Sequence, residues 1–314
     1  MSRLFRTFAA AAVLSLVPGA VLADEFKSGP VEEKNVVSGK VTLDPAAGYI
    51  FVQATTRTFG TFLRVPDAET RAIYEKDREE AFAKAQKKYA SALRNWETAF
   101  KARQTNPNIQ VPPKPVEPTR ETFQIDPIEL RDMTSFGPMF IYNKGEGRFA
   151  YLQKVRPGTY VYYGPVSAAP NMPAFGLCNC MGSVRFEVKP GTITDLGNSL
   201  VAASAPEPPF DVQTQDALRR ADEKAAKDGA PQADRALTNP NTLAYGLPDT
   251  LKAWPAMRGE FSASGKMNNY FGLMITRMQP IPGVLGYRRD AVVDLRSGTE
   301  VPNPTIYTQV RIKK

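Results

Sequence analysis

The sequence predicts a mainly β protein of the α+β kind. It is a β-sandwich that carries a long α-helix with a proline-rich return strand as an insertion, and a short second helix. Three observations predict this class: alternating runs rich in β-branched and aromatic residues, a long stretch without glycine or proline, and a cluster of prolines directly after that stretch. With 314 residues, 42% of them hydrophobic and 23% charged, the chain can bury a sizeable core.

Residues 1–23 have the order of a secretory signal peptide. Arg3 and Arg6 precede an apolar run over 8–17, and small residues at 21–23 form a cleavage site. The run is too short to span a bilayer, no lipidation cysteine follows it, and no later stretch is apolar for long enough to cross a membrane. We therefore predict export to a bacterial periplasm by a cleavable signal peptide, with an extracellular protein as the alternative.

Residues 24–65 and 119–200 are predicted to form the β-sandwich core, because their apolar runs are short and separated by turn residues. Residues 183–189 alternate most cleanly, so this strand should be buried on one face and solvated on the other. The predicted strands of the core are 49–52, 58–63, 139–143, 148–155, 159–164, 183–189 and 192–196.

The clearest predicted element is a helix over 67–104, where Ala, Glu, Lys, Arg and Gln predominate. At about 1.5 Å per residue, this helix is about 57 Å long, so part of it should project from a small β domain. Its apolar positions follow a heptad spacing and form a stripe that should contact a partner. The stripe consists of Phe82, Tyr89, Leu93, Trp96 and Phe100.

The prolines after the helix exclude a further helix and favour an extended polyproline II strand. Pro112, Pro115 and Pro118 share one face of that strand and repeat about every 9 Å, close to the ~10.5 Å between successive aromatics of the stripe. We therefore predict that residues 66–118 are an insertion in which the proline rings stack on the stripe. In the alternative, the prolines are a linker and the stripe pairs with a second copy of the chain in a coiled coil.

Two later segments have a strand, a Pro-Gly turn and a second strand: GRFAYLQKVRPGTYVYYGP and VRFEVKPGTITDLGN. This pattern resembles that of prealbumin-like β-sandwich domains in a family of exported bacterial proteins of unknown function, often called putative lipoproteins. The resemblance covers residues 145–200 and implies a β-sandwich and no activity. The chain departs from the lipoprotein form because it lacks the lipidation cysteine.

The C-terminal third is predicted to be less regular. Residues 201–258 should be a linker with a short charged helix at 213–227. Residues 259–314 should return to the same β core, since so short a segment is too small for a separate core. The strands predicted there are 259–261, 269–278, 291–295 and 305–312.

Cys178 and Cys180 are the only cysteines, and in an extended segment their sulfurs lie on the same face. An intrachain disulfide suits an oxidising compartment. Free or intermolecularly paired thiols are a second interpretation. The third is a soft-metal site for copper, with Met172 or Met181 as thioether ligands.

The absence of histidine excludes Ser/His and Cys/His catalysis and His-ligated zinc. Serine acyl-enzyme motifs are also absent, so we predict a non-enzyme without a cofactor. The net charge of +8 is ordinary for solubility or attracts anionic envelope polymers and lipids, and nucleic acid is not an expected partner in this compartment. The predicted function is a periplasmic interaction or scaffold module that binds an envelope protein or polymer, or a second copy through the long helix. The alternative is a redox or copper-handling protein that uses Cys178 and Cys180.

Overall fold

The computed structural model describes residues 26–145, 147–168, 173–200, 212–229, 236–237, 245–281 and 283–302. Within these ranges the protein is mainly β, with one long helix and shorter ones, which confirms the predicted class at that level. No helix in the described ranges is long and apolar enough to cross a membrane. The predicted signal peptide, Met172 and the predicted strand 305–312 lie outside the described residues.

The helices are α1 (Glu33–Val37), α2 (Ala68–Thr105) and α3 (Val212–Lys227). The strands, in chain order, are β1 (Gly29–Val31), β2 (Gly48–Ala54), β3 (Gly60–Arg64), β4 (Thr134–Phe136), β5 (Asn143–Gly145), β6 (Arg148–Val155), β7 (Gly158–Gly164), β8 (Val166–Ser167), β9 (Phe175–Cys178), β10 (Ser183–Val188), β11 (Ile193–Asp195), β12 (Ala236–Leu237), β13 (Ala256–Arg258), β14 (Ser262–Ser264), β15 (Met274–Ile275), β16 (Leu285–Arg288), β17 (Ala291–Asp294) and β18 (Thr299–Glu300).

Two larger sheets form the frame. The first has six strands in the order β1-β6-β2-β11-β13, with β5 also paired to β6, and the second has the order β14-β10-β7-β3-β4. The strands of the C-terminal part enter both sheets, because β13 pairs with β11 and β14 pairs with β10. Two smaller sheets, β12-β16-β17-β18 and β15-β9-β8, complete the described strands.

The central strand β2 is buried along its whole length, so its two faces serve two apolar clusters. Ile50 and Val52 share one cluster with Phe62 and Phe186 of the second sheet. Tyr49 lies in the other cluster, whose further members include residues of β1, β6 and β11. Alternation explains this division, since successive side chains of a strand point to opposite faces.

The predicted alternation of 183–189 is confirmed in β10. Val184, Phe186 and Val188 are buried, whereas Arg185 and Glu187 are exposed. The buried set belongs to the cluster that also contains residues of β2, and the exposed set faces away from it. This strand therefore orients the second sheet relative to the apolar core.

Two predicted strands are wrong in position, and of a third, 269–278, only Met274–Ile275 form a strand. Residues 139–142 are not a strand, and Met139 and Phe140 are exposed; pairing with β6 begins only at Asn143. Residues 259–261 form the link between β13 and β14, where the Gly259 N–H donates to the Asp195 carbonyl. In both places the apolar residues lie just before the residues that pair with a neighbouring strand. An apolar pattern alone does not make a strand, because a strand also needs a partner strand for its backbone hydrogen bonds.

Candidate functional site

The long helix α2 is fastened to the frame through Arg64, the last residue of β3. Arg64 is 6% exposed, and its guanidinium donates to the Thr70 hydroxyl at 2.9 Å, to the Pro157 carbonyl at 2.8 Å, and to carboxylate oxygens of Asp67 and Asp132 at 2.5 and 3.2 Å. One buried cation of β3 thus joins the start of the helix, the segment before β4 and the turn between β6 and β7.

Asp67 also caps the helix, because its side chain accepts a hydrogen bond from the Thr70 N–H at 2.8 Å. Burial alone would raise the pKa of Asp67. The hydrogen bonds from Thr70 and the Arg64 guanidinium outweigh this effect and lower the pKa to about 2. The carboxylate is therefore charged at neutral pH, and it compensates the buried charge of Arg64.

The chain returns along the helix in the opposite direction. The ring of Phe82, which is 7% exposed, lies 5.4 Å from that of Phe123, and the Arg120 guanidinium lies 5.3 Å from the Phe82 ring centre. Arg120 also pairs with Glu79 at 2.5 Å, and Arg78 donates to the Arg120 carbonyl at 2.7 Å. The end of the predicted stripe next to the frame, at Phe82, is therefore covered by residues of the same chain.

The end of the stripe farther along α2, at Trp96 and Phe100, is covered less completely. The rings of Trp96 and Phe100 stack at 5.1 Å, and the Lys114 ammonium lies 5.5 Å from the centre of the Trp96 ring. Tyr89 and Leu93 are half-buried, as Trp96 is, and Phe100 is 45% exposed. The structure thus brings part of the return segment onto the stripe, with its cover decreasing away from the frame.

The prolines of the return segment differ from one another in exposure. Pro115 and Pro118 are half-buried, whereas Pro112 is exposed. The contacts described above are made by Lys114, Arg120 and Phe123, none of which the sequence analysis selected. The stacking of proline rings on the stripe stays a prediction.

Charges divide the insertion into two parts. In the part next to the frame, Asp67 pairs with Arg64, Asp77 with Arg131 and Glu79 with Arg120. In the part of α2 beyond Phe82, the exposed cations make no ion pair with any described residue. Five of them share one face of the helix, namely Lys84, Lys87, Lys88, Arg94 and Lys101, whereas Arg103 lies outside this face. This basic face was not predicted, although the helical spacing of the five positions is visible in the sequence.

Cys178 and Cys180 form a disulfide, the first of the three predicted states, with their Cα atoms 5.1 Å apart. They are 0% and 2% exposed and belong to an apolar cluster with Leu63 and Tyr163. The Cys178 carbonyl accepts from the Thr276 N–H at 2.7 Å, so the disulfide loop holds the 266–276 segment over the second sheet. The predicted additional ligand Met181 lies next to this loop and is partly exposed.

An apolar surface lies beside the disulfide, on the small sheet of β8, β9 and β15. Leu177 of β9 is paired with Met274 of β15, and Phe175 and Ile275 extend the surface. Met274 is 71% exposed, and each of the other three is more than a third exposed. The sequence analysis did not select these residues, because exposure of an apolar side chain depends on tertiary packing.

A polar cleft of about 420 Å³ opens on the first sheet beside Gln53, Arg148 and Asp249. Asp195 lies next to this cleft, and its carboxylate accepts hydrogen bonds from the Gly197 and Gly246 N–H groups at 2.8 Å each. Burial raises its pKa. Because two backbone amides already occupy the carboxylate, Asp195 holds the 245–249 segment against the sheet, which is a structural role.

Within the described residues, no group of at least three Cys, Asp or Glu side chains is arranged to hold a metal ion. In the disulfide form the two sulfurs are bonded to each other, so neither offers a thiolate to a soft metal. Comparisons with protein-family models, curated proteins and solved structures found no match. The candidate site therefore rests on geometry and charge, and these select the outer part of the insertion.

Proposed function

We propose that the protein is a non-enzymatic interaction module of the bacterial cell envelope, exported to the periplasm, in which a β frame holds out a helical hairpin that binds a partner. The hairpin is defined as α2 with its return segment, residues 66–118. The observation that carries this proposal is the row of exposed, unpaired cations beyond Phe82, on a helix anchored to the frame at its base.

The frame that we infer is a β-sandwich. The shared cluster of Ile50, Phe62 and Phe186 supports this architecture, because it joins residues of both larger sheets. A packed pair of sheets is stiff, and the buried Arg64 fastens the helix to it. Such a frame suits a protein whose task is to hold a long element at a defined place.

The degree to which α2 is exposed supports a binding role for its outer part. The helix contains 38 residues, of which only Thr70 and Phe82 are buried. A helix that served only the stability of the frame would bury an apolar stripe along its length. Here the apolar contact is concentrated near the base, and the outer half presents charge to solvent.

The predicted coiled coil between two copies is the less favoured partner. The return segment already covers part of the stripe, since Lys114 lies over Trp96. The redox or copper-handling alternative also has less support, because the disulfide is buried beneath the 266–276 segment. We therefore propose the disulfide as a structural clip.

A truncated hairpin tests the proposal. Residues 85–116 are replaced by a short Gly/Ser turn, which keeps Phe82, Arg120 and Phe123 at the base. We expect a folded protein with native near-UV circular dichroism that no longer sediments with bacterial envelope fractions. The full-length protein should sediment with them. If the truncated protein sediments as well as the full-length chain, the hairpin is not the binding element and the proposal is wrong.

A further inference from the structure

The basic face of α2 is a band along one side of the helix. At about 100° per residue, the five cations lie within an arc of about 140°, opposite the stripe that faces the return segment. From Lys84 to Lys101 the band is about 26 Å long at ~1.5 Å per residue. The return segment lies on the other side of the helix, where Lys114 and Phe123 contact the stripe, so it leaves this band open.

The charge of this band is not compensated within the described chain. All five cations are exposed, and none pairs with an acid there. Glu97 is the only acid of α2 beyond Phe82; it lies beside the arc, three residues after Arg94 and four before Lys101, makes no ion pair with either, and leaves the band net positive. Lys84 and Lys88 repel each other at i,i+4, and the other cations of the band add to the same positive potential. An anionic partner removes this repulsion.

The residue types indicate what kind of anion fits. Four of the five cations are lysines, which act as point charges, whereas specific phosphate and carboxylate sites favour the bidentate fork of arginine. The band lies on a convex helix face and has no cavity to define the shape of a ligand. These features favour recognition of charge density on an extended surface over recognition of a defined small molecule.

We propose that this basic face docks on an anionic phospholipid bilayer, with the helix lying along the membrane surface. A rigid row of cations meets the plane of headgroups along its whole length, and mobile lipids adjust to it. A flexible polyanion would lose conformational entropy in following the same straight row. This inference rests on the proposed function and names the partner of the hairpin.

Flotation with vesicles tests the inference on the full chain. Phosphatidylcholine vesicles that contain phosphatidylglycerol are compared with pure phosphatidylcholine vesicles at low and high salt. We expect binding only to the anionic vesicles and its loss in high salt. Replacing all five cations with glutamine should weaken binding on the order of a thousandfold, at about fivefold for each charge. The variant carries Lys84→Gln, Lys87→Gln, Lys88→Gln, Arg94→Gln and Lys101→Gln.

A matched control removes the same charge elsewhere on the molecule. It replaces four exposed lysines and one exposed arginine outside the hairpin, and should bind anionic vesicles within about fivefold of wild type. Equal losses in the two variants would show that only net charge matters and would overturn the inference. The control carries Lys40→Gln, Lys189→Gln, Arg220→Gln, Lys224→Gln and Lys227→Gln.

Two further outcomes separate this inference from the proposed function. If the hairpin is needed for sedimentation with envelopes but the protein ignores anionic vesicles, the partner is another envelope component and the lipid inference fails alone. If polyphosphate binds more tightly than vesicles of equal accessible phosphate, a soluble polyanion is the partner and the lipid inference also fails. If neither vesicles nor envelopes bind, both proposals fail.

Discussion

The base and the outer part of the helical hairpin are built from similar residues but use them in opposite ways. At the base, acids and arginines pair with one another, and Phe82 is buried against Phe123. In the outer part, the cations of α2 lack partners in the described chain, and Phe100 is nearly half exposed. Paired charges and buried rings fasten an element, whereas unpaired charges leave it available to something else.

This difference shows that stability and binding are separated along one helix. The base owes its position to Arg64, which is buried and bonded to Thr70 at the start of the helix and to Asp132 and Pro157 after the insertion. The outer part contributes little to the frame, so its residues are free to change without loss of the fold. Variants at the two ends should therefore differ in what they affect.

The largest expected effect is at the centre of the base. Arg64→Met keeps much of the side-chain volume but leaves Asp67, Asp132 and the Pro157 carbonyl without their donor. Breaking a buried ion pair in this way should lower the free energy of unfolding by about 4 kcal/mol. Urea unfolding followed by far-UV circular dichroism measures the change.

The control for this variant is Lys76→Ala, an exposed cation of the same helix without a described partner. It should change the free energy of unfolding by less than about 0.5 kcal/mol. A small effect of Arg64→Met, similar to that of the control, would show that the base is not the anchor. The base and the outer part of the hairpin would then not differ in their contribution to the free energy of unfolding.

Two aromatic residues of the stripe allow a direct comparison. Phe82→Ala should lower the free energy of unfolding by about 3 kcal/mol, because it leaves a cavity against Phe123. Trp96→Ala, in the outer part, should cost about 1 kcal/mol, since its ring is only half-buried beneath Lys114. The two variants are compared by thermal and urea unfolding.

Sedimentation of the same two proteins adds a second readout. We expect the oligomeric state to remain that of wild type in Trp96→Ala, because the stripe contacts its own return segment. Dissociation of an oligomer on loss of Trp96 would favour the coiled coil between copies. An effect of Trp96→Ala on stability as large as that of Phe82→Ala would remove the predicted gradient along the hairpin.

The long helix was predictable from the sequence because its signals are local. Pro66 and Asp67 precede a segment without glycine or proline, so the prediction of 67–104 differs from the observed Ala68–Thr105 by one residue at each end. Strand β6 was predicted at its observed bounds for a similar reason, since a Pro-Gly turn follows it closely. Strong local patterns need no knowledge of the tertiary structure.

The features that escaped prediction depend on partners distant in the sequence. Arg64 became the anchor only because Asp132 and Pro157 lie beside it in the fold. Short strands such as β8 exist only because β9 pairs with them. The basic face is different, because the spacing of its cations was visible. It was missed because Lys84 and Lys87 were considered together with the acids that precede them, as ordinary solvated helix charges, and the helix beyond them was not.

The smallest predicted effect concerns the helix cap. Asp67→Ala removes the acceptor of the Thr70 N–H and should lower the free energy of unfolding by about 1 kcal/mol at neutral pH. Asp67→Ser keeps a cap acceptor without the charge, so the loss that remains in this variant measures the missing ion pair with Arg64. Both variants are measured by urea unfolding over a range of pH.

The pH dependence separates the cap from the charge. The pKa of Asp67 is about 2 in the folded protein and near 3.8 when unfolded, so the unfolded chain takes up the proton first. The stabilisation by this carboxylate is therefore complete above about pH 4 and is lost as the pH falls toward 2. In both variants the free energy of unfolding should fall less steeply over this interval than in wild type. If Asp67→Ala kept the wild-type slope, Asp67 would not be held as the charged partner of Arg64, and the ionic description of the base would be wrong.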